Sequence, residues 1–523
     1  MRKVDIYDST LRDGAQAEGI SFSVEDKLRI TRALSDLGVR YIEAGNPASN
    51  PKDLDFFGRV RQGGKGGAVV VAFGSTRRKG ATAAEDKNTA PLVKAGTDAV
   101  CIVGKCWDRQ VSGILRASLE ENIDMIEETV GYFASLGKEV IFDAEHFFDG
   151  CKSDPDYPML CLRAACRAGA AVLSLCDTNG GCFPEEISGL TAKVIKNFDL
   201  PVAIHCHNDC GLAVANSIAA VAAGAAQVQG TLTGFGERCG NANLSTVIGN
   251  LELKKGISCL ANGGIAGLTT ACRLISEIAN VNPNEREPYT GKSAFAHKGG
   301  MHVDGAFKYP GSFEHIDPEL VGNRRKFIMS EVAGRSAVIS HIQKIDPSVL
   351  RDSPETERII GKLKELEHFG YQFEAAESTF ELVIRKQLGK YKPLFELVNL
   401  KIIAEQPYQE GQSASALIKI IVDGKTEITA AEGDGPVNAM DKALRKALCV
   451  FYPHLDTMHL TDYKVRVMDG NEATASKVRV LIESADGAES WTTVGVSADI
   501  IEASRLALAD SIEYKLIKDG AYK

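Results

Sequence analysis

In the first half of the chain, short β-rich apolar runs take turns with longer stretches in which apolar residues recur every three to four positions. Lys3–Tyr7 is the first such run. Val24–Leu37 follows, with Leu28, Thr31, Leu34 and Leu37 at helical spacing and Gly38 as the stop. Tyr41–Gly45, Ala68–Phe73, Ala99–Val103, Glu139–Phe142, Ala171–Leu175, Val202–Ile204 and Ala226–Gly230 predict further strands. Helical segments lie between most of them, including Leu119–Leu136, Met159–Arg167 and Glu185–Lys196. About eight strand–helix units in roughly 250 residues match the size of a (β/α)8 TIM barrel. A doubly wound open sheet is the alternative, and the even spacing favours closure.

After the barrel the rhythm changes. Residues 255–285 read as helices that extend it. Residues 286–330 are rich in Gly, Pro and His and predict a loop or lid, and Glu331–Glu367 predicts a charged helical linking subdomain. From about Val398 the texture turns to β. Leu400–Ala404, Ala416–Val422 and Thr426–Ala431 read as strands, then a helix places Val437, Met440, Leu444 and Leu448 on one face. Tyr463–Val467, Val478–Ser484, Ser490–Val494 and a helix from about Ser497 repeat that order. Asp423-Gly424 matches Asp486-Gly487 and Gly435 matches Gly495, giving an internal repeat of about sixty residues. The expected α/β organisation is a barrel over 1–285, a lid and helical linking subdomain over 286–395, and an α+β domain over 396–523.

Charge removes some functions from consideration. Against 60 Lys and Arg stand 69 Asp and Glu, a net charge of −9, with no basic block, so nucleic acid is not an expected partner. The start, Met1-Arg-Lys-Val-Asp-Ile-Tyr7, lacks the apolar core of a signal peptide, and no apolar run is long enough for a bilayer. The 13 cysteines form no C-x-x-C pair, which reads as reduced thiols in a cytoplasmic protein.

The candidate chemistry falls after the predicted strands, where a barrel places its active site. Strand one leads into Asp8-Ser-Thr-Leu-Arg12-Asp13-Gly-Ala-Gln16. Strand two ends with Glu43, strand five with Asp143 and Glu145-His146, and strand six with Asp177-Thr178-Asn179. Strand seven ends with His205 and His207, two positions apart and so on one side of the strand. Two imidazoles there suit one borderline divalent ion, or are merely two core or surface histidines. Asp209 could orient a ligating ring from behind. Asp13 is the natural third ligand, with a helix-cap aspartate as the alternative. Arg12 presents a fork that matches the carboxylate of a 2-oxo acid, with a surface ion pair as the alternative. Thr290-Gly-Lys-Ser293 lacks the upstream glycine of a phosphate loop, and Gly234-Phe-Gly236 lacks the third glycine of a dinucleotide fingerprint.

Two long stretches carry a resemblance. Leu11-Arg12-Asp13-Gly14-Ala-Gln16, with Lys27 after ten residues, and Val202-Ala-Ile-His-Cys-His-Asn-Asp-Cys-Gly-Leu-Ala-Val-Ala215 resemble the two signatures of the 2-isopropylmalate, homocitrate and citramalate synthases. Asp8-Ser-Thr-Leu-Arg-Asp-Gly-Ala-Gln-Ala-Glu-Gly19 together with Phe142-Asp-Ala-Glu-His-Phe-Phe-Asp-Gly150 is most similar to a bacterial citramalate-forming group within that family. The resemblance implies condensation of acetyl-CoA with pyruvate, and a divalent ion (Mn, Mg or Zn) on Asp13, His205 and His207 with Asn241 as a further ligand. It implies Arg12 and Thr178 as holders of the 2-oxo acid and Glu145 in the same pocket. Within Gly299-Gly-Met-His302-Val-Asp304-Gly it implies His302, rather than His297, as the catalytic histidine and Asp304 as a substrate contact. The tyrosine of relatives has no clear counterpart around Tyr309. The repeated C-terminal units become a regulatory domain at a homodimer interface, with isoleucine as inhibitor held at the helix starts. Rival readings are a relative taking a larger 2-oxo acid, a barrel lyase running the reverse cleavage, and a non-catalytic amino-acid sensor.

Overall fold

The computed structural model describes residues 2–63, 66–298, 300–327, 335–404, 413–468, 476–487 and 489–520. Eight parallel strands close into a barrel: β1 (Asp5–Asp8), β2 (Tyr41–Glu43), β3 (Val69–Ser75), β4 (Ala99–Lys105), β5 (Glu139–Glu145), β6 (Val172–Asp177), β7 (Val202–Cys206) and β8 (Gln227–Gly230). Closure is direct, because β1 pairs with β2 at Tyr7 and Tyr41 and with β8 at Asp8 and Gly230. Strand residues alternate between two cores. Tyr7, Tyr41, Val71, Cys101, Ile141 and Ala203 fill the barrel, while Ile6, Ile42, Val70, Val100, Val140 and Ile204 face the helices. That two-sided burial is why the strands read as apolar runs rather than as an alternating pattern.

The fold divides into two compact units. One is Met1–Phe295 with His315–Arg325, and the other is Ala296–Glu314 with Lys326–Lys523. The predicted lid over 286–330 is therefore no simple loop. Tyr289, Phe295 and Val321 belong to the core of the barrel unit, and buried Asn323 donates to the carbonyls of Tyr289 and Gly291. Gly300–Lys308 is helical and belongs to the second unit, where Val303 joins Val338, Ile342, Ile359 and Phe380 in a small core. The apolar positions of this segment were masked in sequence by its Gly, Pro and His content. Helices Arg335–Ile345, Pro354–Phe369 and Glu377–Gln387 follow. The first residues of the predicted helical stretch, 331–334, lie outside the described residues.

The second unit ends in two β-β-β-α modules. One antiparallel sheet has the order Glu396–Ala404, Ala414–Val422, Lys425–Gly433, with helix Pro436–Cys449. The other has His459–Val467, Val478–Ala485, Ser490–Ser497, with helix Ile500–Lys518. Ile418, Ile420, Leu444, Val480, Ile482 and Leu508 share one core, so the repeat is real and each module completes the other. One predicted match needs correction. Gly435 precedes its helix directly, but Gly495 lies within a strand, where a Cβ would come within 2.0 Å of the Ala503 carbonyl oxygen. Its counterpart in closeness to a helix is Gly433, whose Cβ would meet the Ala439 nitrogen at 2.5 Å. The second helix start is capped by Asp499, whose carboxylate accepts from the Ile501 N–H at 2.8 Å. The two helix starts therefore do not offer matched free N–H groups to an anion.

Candidate active site at the barrel mouth

After β1 the chain folds back sharply. The Ser9 carbonyl accepts from the N–H groups of Arg12, Asp13 and Gly14 at 3.1, 2.9 and 3.0 Å. This turn places Arg12 and Asp13 beside the end of β7, which delivers His205. His207 follows one residue past the strand, where it bridges to Asn241. Asp13 Oδ2 lies 3.5 Å from His205 Nε2 and 4.0 Å from His207 Nε2. All three side chains are buried. Arg12 Nη1 sits 3.2 Å from the same Asp13 oxygen. Its Nε donates to Glu43, and the guanidinium lies 3.9 Å from the centre of the Phe73 ring.

The charges are balanced locally. Burial works to raise the Asp13 pKa, but Arg12, His205 and His207 outweigh it and hold the carboxyl below its ordinary value. Burial, helped by His205, pushes His207 down to about 4, so its ring is neutral at physiological pH and its lone pair is free to ligate. Among the described residues two buried polar atoms here find no partner: His207 Nδ1 and Asn241 Oδ1. Native interiors rarely leave such atoms unbonded, and an open amide oxygen on the residue bridged to His207 suits a divalent cation.

Glu145 ends β5 and pairs with Lys105 at 2.5 Å. Thr178 Oγ1 accepts from the His146 N–H at 2.8 Å, and the Thr178 carbonyl accepts from Arg238 at 2.8 Å. Among the described residues no hydrogen bond joins Glu145 or Thr178 to the Asp13 cluster. Asp209 does not orient a ligating ring. It forms a two-pronged pair with Arg238, at 2.8 and 3.0 Å, and so ties the loop after β7 to the loops after β6 and β8. In the second unit His302 is exposed, with its ring 4.5 Å from that of Phe313. His297 is buried and bonded to Glu314 at 2.9 Å, which makes it a structural histidine. The Asp304 side chain lies outside the described residues.

Comparison with known proteins follows the same three segments. Residues 3–274 match the HMGL-like family, residues 289–369 the homocitrate synthase post-HMGL domain-like family, and residues 374–516 the LeuA allosteric (dimerisation) domain. Along its length the chain is similar to an (R)-citramalate synthase of Aquifex aeolicus, with 49% identity over 99% of this chain and 98% of that one. A Synechocystis (R)-citramalate synthase is 48% identical, covering 98% and 96%. The chain belongs to the (R)-citramalate synthase family. A 2-isopropylmalate synthase of Pyrococcus furiosus stands further off, at 29% identity over 98% of this chain and 99% of that one. The family resemblance read from Leu11–Gln16 and Val202–Ala215, and its citramalate-forming branch read from Asp8–Gly19 with Phe142–Gly150, thus extend over the whole chain.

Sequence reasoning named Glu43 and Asp143 as polar strand ends but gave them no task. Glu43 accepts from Tyr7 at 2.7 Å, from Ser9 at 2.6 Å and from Arg12, and so fixes the guanidinium. Gln229 and Lys105 were missed altogether. A signal existed for Gln229: two amides, Gln227 and Gln229, alternate in an otherwise buried strand and must both point into the barrel. For Lys105, a lysine at a strand end, no local signal distinguishes it from a solvent-facing one.

Proposed function

We propose that this member of the citramalate synthase family condenses acetyl-CoA with pyruvate to give (R)-citramalate and CoA. The observation that carries the proposal is the meeting of Asp13, His205 and His207 within reach of a single ion, directly beside Arg12. Those three residues and Asn241 would hold a divalent cation: manganese, magnesium or zinc. Bound there, the cation supplies a Lewis acid that polarises the keto group of the 2-oxo acid.

Arg12 has its Nε on Glu43 and Nη1 beside Asp13, which leaves Nη2 for the pyruvate carboxylate. Thr178 already accepts from His146, so its own O–H proton is free to donate to that carboxylate. Glu145, held by Lys105, lines the same pocket, and Asp304 is the further substrate contact. A cleft of about 310 Å3 beside Arg12 and Phe73, lined by Gln16, Asn46, Ser49 and Lys52, is open to the thioester arm. His302 takes a proton from the methyl group of acetyl-CoA, and its exposure allows that role. The resulting carbon nucleophile bonds to the keto carbon, whose oxygen takes up a proton. Water then cleaves the thioester and releases CoA. The match to an allosteric dimerisation domain supports a homodimer, isoleucine is the inhibitor proposed for it, and thirteen free cysteines support a reducing, cytoplasmic setting. No helix among the described residues is long and apolar enough to cross a membrane.

A thiol-release assay with acetyl-CoA tests the reading. Pyruvate should turn over far faster than 2-oxoisovalerate or 2-oxoglutarate. Preference for either larger acid would overturn the citramalate assignment, and no turnover with any would revive a non-catalytic sensor.

A further inference from the structure

We infer that Gln229 is a positioning residue for the proposed metal ligand His205, and that Asp143 sets the direction in which it acts. The inference rests on the metal reading above. Gln229 is buried on β8, and its amide spans the barrel interior between two other strands. Oε1 lies 3.1 Å from His205 Nδ1 on β7, and Nε2 donates to Asp143 Oδ1 on β5 at 3.0 Å.

The polarity of this chain of bonds follows from Nε2 donating to Asp143. Asp143 Oδ1 accepts, so it claims the N–H end of the amide and turns the carbonyl oxygen towards His205. An amide oxygen can only accept, so the His205 proton must sit on Nδ1. The Nε2 lone pair is then directed to the side where Asp13 Oδ2 lies, 3.5 Å away. Asp143 thus decides, through one amide, which nitrogen of His205 is available to a cation.

An amide suits this position better than a carboxylate. Glu43, Cys101 and Asp143 already crowd together in the barrel interior. A carboxyl at 229 would add a third buried acid facing Asp143, whereas the amide supplies an acceptor without a titratable group. The two histidines are also held unequally. His207 Nδ1 is buried and unbonded, so the loss of Gln229 acts on one ligand alone.

The test uses the full chain stripped of metal and titrated with Mn2+ by calorimetry. Selectively 15N-labelled histidine reports the tautomer of His205. Gln229→Leu should raise the Kd for Mn2+ by roughly 10- to 100-fold and turn a single Nδ1–H form of His205 into a mixture. Should that variant fail to fold, Gln229→Met carries the same test. The double change Gln229→Glu with Asp143→Asn moves the one charge but keeps an acceptor at His205 and a donor behind it. Its Kd should return to within about threefold of the unaltered protein, with the Nδ1–H form restored. A Leu or Met variant with unaltered affinity and tautomer would overturn the inference, and so would a double variant as weak as the single one. His205→Ala separates the two levels. If it loses Mn2+ while Gln229→Leu does not, only the role of Gln229 falls. If it binds Mn2+ like the unaltered protein, the metal reading and this inference fall together.

Discussion

At the barrel mouth the polar side chains are buried and answer one another. Glu43 serves Tyr7, Ser9 and Arg12, while Asp143 serves Gln229 and through it His205. In the two C-terminal modules the arrangement is inverted. Helix-facing residues such as Ile418 and Ile482 are buried, but Leu417, Ile428, Val465 and Val467 expose apolar surface on the sheets. Within one chain the barrel's polar side chains bond mainly to one another, and His207 Nδ1 and Asn241 Oδ1 stay open among the described residues. The sheets leave apolar faces uncovered, as a surface meant for another copy or a ligand would. Chemistry can therefore be located residue by residue in the barrel, whereas in the modules it can be located only by surface.

The sharpest test of that contrast removes one proposed ligand. His207→Ala should cost roughly three orders of magnitude in turnover and most bound metal, with the circular dichroism spectrum unchanged. Wild-type activity and metal content would mean that the buried cluster is structural only. A smaller effect is expected for Arg12→Lys, which keeps the charge but loses the planar fork and the stacking on Phe73. The value of kcat/KM for pyruvate should fall by roughly 10- to 100-fold. An unchanged value would show that Arg12 serves Glu43 and Asp13 rather than substrate.

Deleting 396–523 probes the other side of the comparison. Isoleucine inhibition of the full chain, expected to weaken substrate use by roughly tenfold, should vanish in a folded truncated protein. Unchanged inhibition would move the effector site out of the modules.

The smallest effect concerns His341, buried in the second unit and pushed down to about 4 by its burial, with Lys344 adding to that. The unfolded chain takes up this proton below about pH 6.5 and the folded chain only near pH 4, so stability is lost as pH falls through that window. Unfolding in urea should show about 1 kcal/mol of this loss by pH 5.5, and His341→Gln should flatten that slope. An identical slope in the variant would assign the acid sensitivity elsewhere.

The eight strands and both modules were legible because burial on two faces, or on one, leaves a periodic trace in the residues themselves. Arg12, Asp13, His205 and His207 were legible because each pair is contiguous or nearly so. What escaped was set by distance across the sheet. Gln229 matters through atoms on β5 and β7, and Asp209 turned to Arg238, a residue beyond β8. Local spacing says nothing about either choice. The 286–330 segment was misjudged for a related reason, since Tyr289 and Val303 find their cores in different units.

The chain's route between those units bears on how such proteins can be recombined. It leaves the barrel unit after Phe295, returns at His315, and leaves again after Arg325. A chimaera that exchanged everything after one junction would split a unit's core between two parents. Exchange of a complete unit needs three crossovers at once, at 295/296, 314/315 and 325/326. The helix bearing His302 travels with the donor of the second unit, while Arg12, Asp13, His205 and His207 stay with the recipient. Such a swap would put the proposed proton acceptor and the proposed metal ligands under different ancestry, and turnover of the chimaera would measure their compatibility.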